Sequence, residues 1–145
     1  MGTWDIGHFD NDTAADFSGA LDDAALAERA GLIRAALERA AEAVAYLDDY
    51  EGVHAVAAAA LVAAQCPGGV PVTTAYGPDE PVPALPVELR ELAVAALDRV
   101  VGEESELAEL WDESESGAEW RRGIRELREV LAPTPPRAEE PLVEL

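Results

Sequence analysis

The chain has no lysine; all ten of its basic residues are arginine. It carries one cysteine, two histidines, three tryptophans and two phenylalanines. Each scarcity excludes something. With Cys66 alone, no intrachain disulfide can form, so nothing implies an oxidising compartment. Two histidines and one cysteine are too few for the usual structural zinc site. Few aromatics beside abundant alanine require a core of closely packed helices with small contact residues. The longest strongly apolar run, Val53–Ala64, contains His54 and is too short to span a bilayer. The first residues lack the basic and apolar regions of a secretion signal, so the expected location is cytoplasmic.

Acidity dominates what is present. Thirty Asp and Glu face ten arginines, for a formal charge of −20. Phosphate recognition depends on Lys and Arg, so neither nucleic acid nor an anionic membrane is an expected ligand. A basic protein partner or a cation fits this charge, and so does simple solubility. Arginine without lysine, with much Ala, Gly and Pro, is the coding bias of a GC-rich genome such as an actinobacterium. Apolar residues make up 49% of the chain, which excludes wholesale disorder.

At 145 residues the chain reads as one helical domain over 1–132, with a flexible acidic, proline-rich tail over 133–145. Residues 1–10 form an arm without helical period. Asp10 or Asn11 suits the cap of a short helix ending near Leu21, with Ala14, Phe17 and Leu21 on one face. Leu26, Ala30, Ile33, Leu37, Ala40, Val44 and Leu47 alternate spacings of four and three. That stripe predicts one long helix from about Asp23 to Asp48. After a turn near Asp48–Gly52, an alanine-rich helix over Val53–Gln65 is expected at the centre. Prolines 67, 71, 78, 81 and 83 turn residues 66–85 into a long crossover loop. Pro86 suits the first turn of a fourth helix, with Leu89, Leu92, Ala93, Ala96, Leu97 and Val100 buried and Gly102 at its end. A fifth, short helix turns Leu107, Leu110 and Trp111 inward. Ser116 and Glu119 match a capping box opening a sixth helix, with Trp120, Ile124, Leu127 and Leu131 facing the core. The expected fold is an all-α, irregular bundle of five to six helices.

Candidate chemistry is thin. The opening MGTWDIGHFDNDTAADF gathers Asp5, Asp10, Asn11, Asp12 and Asp16, oxygen ligands that suit a hard cation or a basic partner. Asp10-Asn11-Asp12 matches the start of an EF-hand loop, but that loop's twelfth position would be Leu21 rather than glutamate. Trp4, Phe9 and Phe17 are expected to be structural anchors that pin the arm to the bundle. Cys66 with His54 or His8 supplies a thiol and a base, but no local signature joins them, and Cys66 at a helix end lacks an activating N-terminus. Nothing in the chain matches a phosphate loop, a nucleophile elbow or a cofactor motif, so no cofactor is expected. Eight acidic residues crowd Glu103–Glu119. Within that run Glu106, Glu109, Asp112 and Glu113, with Trp111 or Trp120 as an apolar anchor if either is exposed, form a candidate interaction surface. Arg121, Arg122, Arg125 and Arg128 follow and are placed to pair with it.

Gly2, Trp4, Gly7, Phe9, Asn11, Asp12, Ala15, Asp16 and Phe17 in the opening, Ser105–Trp111 (SELAELW), and Glu119–Trp120 before the last helix together resemble the bacterial DUF4259 family, a domain of unknown function. The resemblance covers about Met1 to Leu131. It implies a small cytosolic bacterial protein and supplies no catalytic residue, cofactor or substrate. Residues and resemblance together lead to the expectation of a protein-interaction or regulatory module, immunity- or antitoxin-like, with a basic or amphipathic partner. The alternative is a cation-binding protein or hydrolase using the N-terminal aspartates.

Overall fold

The computed structural model describes residues 12–66 and 85–132. Among the described residues the architecture is all-α, with six helices and no strand. They are α1 (Asp12–Asp23), α2 (Leu26–Ala41), α3 (Asp49–Ala64), α4 (Glu88–Val100), α5 (Glu106–Asp112) and α6 (Gly117–Leu131). Trp4 and Phe9 of the arm, the interior of the proline-rich loop and the 133–145 tail lie outside the described residues. The two ends of that loop meet: the Leu85 amide donates to the Gln65 side-chain oxygen at 2.9 Å.

α3 sits at the centre and touches every other helix. Every residue from Gly52 to Ala63 is buried. An amphipathic helix buries one stripe; a helix that is apolar on all sides is buried all round. Alanine gains little by transfer from water, but it lets neighbouring backbones approach closely, so dispersion contacts accumulate. At Gly52 the approach is close, because a Cβ there would lie 3.2 Å from Leu107 Cβ of α5. α2 and α4 flank α3 and also touch each other. Ile33, Ala36, Leu37 and Ala40 of α2 meet Leu89, Ala93, Ala96, Leu97 and Val100 of α4 in one continuous core.

α1 and α6 close the remaining sides. Phe17, 5% exposed, packs edge-on against the buried His54 ring at 5.3 Å between centroids. Phe17 is thus buried, while the arm that it was expected to pin lies outside the described residues. α6 buries Trp120, Ile124, Leu127 and Leu131, as its periodicity predicts, and Trp111 stacks on Trp120 with centroids 5.8 Å apart. The Arg29 guanidinium donates to the Leu21 carbonyl at 2.9 Å and the Ala24 carbonyl at 3.1 Å. It thereby adds to the bond that the Leu21 carbonyl accepts from the Ala24 amide and ties down the end of α1.

Four local expectations are corrected. α2 stops at Ala41 rather than near Asp48, so Val44 is 99% exposed and Leu47 is buried outside any helix. The heptad-like spacing carried on past the helix because Leu47 is apolar for another reason, given below. Leu26, at the head of the stripe, is also exposed. α3 starts at Asp49, with Asp48 as N-cap accepting from the Glu51 amide at 2.9 Å. Finally, the Ser116 side chain makes no cap bond to α6, although the helix does begin just after it.

Candidate functional site

Residues 42–48 leave the end of α2 and pass beside the connection between α4 and α5. There the Leu47 amide donates to the Glu104 carbonyl and the Glu106 amide donates to the Leu47 carbonyl, each at 2.8 Å. This is an isolated parallel bridge between Leu47 and Ser105. Leu47, 2% exposed, faces the core from it. Glu104 takes a left-handed φ of 60°, unusual for a residue with a Cβ, and this geometry presents its carbonyl to Leu47. Arg99 ties both strands of chain together. Its guanidinium donates to the carbonyls of Ala43 (3.3 Å), Ala45, Glu103 (3.1 Å) and Glu104 (3.2 Å).

This corner delivers acidic side chains to one place. Ser105 caps α5 by accepting from the Ala108 amide. Glu106 then reaches the start of α3, where its Oε1 accepts from the Asp49 amide at 2.9 Å. Glu109, one turn on, accepts from the Tyr46 hydroxyl at 2.7 Å. The hydrogen bond to the Glu109 carboxylate, with desolvation and the surrounding negative charges, pushes the Tyr46 phenol up to about 12. Burial, then the charge of Glu106, raises the Asp49 carboxyl above its ordinary value, while its hydrogen bond from the Tyr50 backbone acts the other way.

A groove of about 620 Å³ opens beside these groups. It is lined by Asp49 from α3, Leu110 and Trp111 from α5, and Ser114, Glu115 and Ser116 from the α5–α6 turn. Leu110, expected inward, is 41% exposed and forms an apolar wall of the groove. The close turn beneath depends on Gly117. A Cβ at that position would overlap the Trp111 carbonyl oxygen and lie 3.1 Å from its carbon.

Of the residues singled out in the sequence, Glu106 and Glu109 stand together at this corner, with Glu113 as the exposed C-cap of α5. Asp112 is drawn away: Arg121 grips it bidentately, with both contacts at 2.9 Å, and holds its carboxyl below the usual range. Trp111 and Trp120, at 5% and 4% exposure, are core residues rather than exposed anchors; only Trp111 also lines the groove. Asp5, Asp10 and Asn11 lie outside the described residues. Asp12 opens α1, and Asp16 is exposed on it. Among the described residues no group of three or more His, Cys, Asp or Glu is arranged to hold a metal ion.

The thiol and imidazole do not meet. His54 and Cys66 lie about 18 Å apart along the axis of α3 at 1.5 Å per residue. His54 Nδ1 pairs with the Tyr50 carbonyl at 2.8 Å, and the buried Cys66 thiol points to the Val62 carbonyl at 3.5 Å. Asp49, Tyr46 and Arg99 were missed in the sequence. A Tyr-x-Asp-Asp-Tyr segment between two apolar helices was the available signal, but only the fold shows that it faces α5.

The fold and site define a small, acidic helical bundle around an alanine-rich central helix, with a carboxylate-lined corner where α3 meets α5. The chain belongs to the DUF4259 family, a domain of unknown function, whose model matches residues 2–123. No curated protein and no solved structure matches it. Among the described residues no helix is long and apolar enough to cross a membrane.

Proposed function

We propose that the protein is an interaction module, cytosolic and regulatory in the manner of an immunity or antitoxin protein, that binds a basic partner through the α3–α5 corner. The observation that carries this reading is an acidic rim to which no arginine of the described residues is bound. Among the described residues, salt bridges join Arg121 to Asp112 and Arg128 to Asp98, and none reaches Asp49, Glu106 or Glu109. Arg99 stands near but spends its guanidinium on four backbone carbonyls. Uncompensated charge of one sign accelerates encounter with an opposite partner and repels like-charged ones. Leu110 adds apolar contact area inside the rim.

The test is affinity capture from the native host with the parent chain and a Glu106→Gln/Glu109→Gln/Glu113→Gln variant. Glutamine keeps the acceptors for Asp49 and Tyr46 while removing the charge. The expected result is one stoichiometric basic protein, released by salt and lost with the variant. If no such protein is captured at low salt, the acidity serves solubility; if the variant retains it fully, the corner is not the binding surface.

A further inference from the structure

We propose that the groove between the first turn of α3 and the α5–α6 turn receives one arginine or lysine side chain of a basic protein segment. The aliphatic stem would lie on Leu110 and Trp111, and the cation between Asp49 and Glu115. The proposal rests on the reading of the chain as a module for a basic partner, and adds the point of entry.

Charge complementarity and shape argue for this occupant. The groove, at about 620 Å³, is in the size range of sites that take small groups or side chains, and its walls combine apolar surface with carboxylates. Long basic side chains match that combination, because they bury their methylene stems while the charged head stays polar. The same region shows what a carboxylate does when the chain supplies its cation: Asp112 holds the Arg121 fork. Among the described residues Asp49 has no such partner; its environment adds burial and the negative charges of Glu106 and Asp48, an arrangement that an incoming cation relieves. The shallow acidic face of Ala35, Glu38, Arg39 and Glu42 differs, because it carries its own arginine and no large apolar side chain.

The test uses a fluorescein-labelled amphipathic peptide built of leucine and arginine, with a leucine–glutamate peptide as its counterpart. Anisotropy titrations at roughly 0.15 M salt, where the Debye length is about 8 Å, compare the parent, Asp49→Asn/Glu115→Gln in the groove, and Glu38→Gln/Glu42→Gln on the α2 surface. Both variants remove the same charge, and circular dichroism checks that both are folded. The expected result is a loss of about tenfold for the groove variant, since uncoupling a partly desolvated charge pair is worth at least ~1.4 kcal/mol. The α2 variant should change by less than about twofold, because its carboxylates do not line the groove and already share their surface with Arg39. A Leu110→Ser variant should weaken binding without changing its salt dependence. Equal losses in the two charge variants, or a parent that does not bind the arginine peptide, overturn the groove as the entry point. Host capture separates the two readings. A salt-released partner bound equally by Asp49→Asn/Glu115→Gln sinks the groove and leaves the module standing. Absence of any host partner sinks the module even if the peptide binds.

Discussion

Two regions share α3 and are held by different forces. Along its length, from Gly52 to Ala63, α3 is locked between α2 and α4 by apolar contact with small side chains. Just before and at its first turn the chain meets the α4–α5 connection and α5 with many polar contacts beside the Gly52–Leu107 approach: the Leu47–Ser105 bridge, the Arg99 carbonyl cluster, and carboxylates bonded to an amide and a phenol. The layer has few polar groups to satisfy, because helices satisfy their own backbone. The corner is irregular chain, and its backbone groups need partners brought from elsewhere. Stability is therefore expected to reside in the layer, and recognition at the corner.

The largest expected effect is in the layer. Leu97 is fully buried on α4, and Leu97→Ala should destabilise by about 2–5 kcal/mol through lost transfer energy and a cavity. Thermal or urea unfolding measures it. A cost as small as that of a surface substitution would mean that the layer collapses around the gap, and the contrast with the corner would fail.

Arg99→Ala should come next, at about 1–3 kcal/mol, because carbonyls of residues 43, 45, 103 and 104 lose a charged donor. Those acceptors are partly solvated, so water replaces some of the loss. Hydrogen exchange should accelerate at the Leu47 and Glu106 amides and stay unchanged in the middle of α3. Uniform acceleration through α3 would show one cooperative unit instead of two regions.

Asp49→Asn should have the smallest effect and the opposite sign. A carboxyl whose pKa is raised in the folded state binds its proton more tightly there than in the unfolded chain. Stability is then lost as pH rises from the ordinary aspartate range through the raised value. Asparagine removes that loss, so the variant should melt slightly higher at neutral pH, and the difference should vanish once the pH falls below both values. The favourable charge of Asp49 on the α3 dipole, worth ~0.3–1 kcal/mol, works against this and keeps the gain small. A variant that is less stable at neutral pH would mean the dipole outweighs the crowding by Glu106.

The layer was legible in the sequence, and the corner was legible only in part. Helical periodicity and the all-round alanine of residues 53–64 place α3 at the centre, because burial on every face follows from composition alone. Trp120, Ile124, Leu127 and Leu131 were equally plain. The same periodicity misled at Val44 and Leu47. It cannot tell an apolar residue at helical spacing from one buried by a bridge to a segment far away in sequence. Glu106 and Glu109 were found as acids in an acidic run. Their partners Asp49 and Tyr46 lie 57 and 63 residues away, and no local pattern pairs them. Leu110 was expected inward together with Leu107 and Trp111, yet on a helix of seven residues one step turns a side chain from core to solvent.

The sequence distance across the corner also bears on the order of assembly. Arg99 reaches back 54 and 56 residues to the carbonyls it holds, so the chain between must be closed into a loop before these bonds can form. Closing such a loop costs entropy that only the packed helices can offset. The corner is therefore expected to be unformed at the folding barrier. Arg99→Ala should leave the refolding rate nearly untouched and speed unfolding, while Leu97→Ala slows refolding as well. The corner, on this view, is the last part of the molecule to be completed and the first to be released.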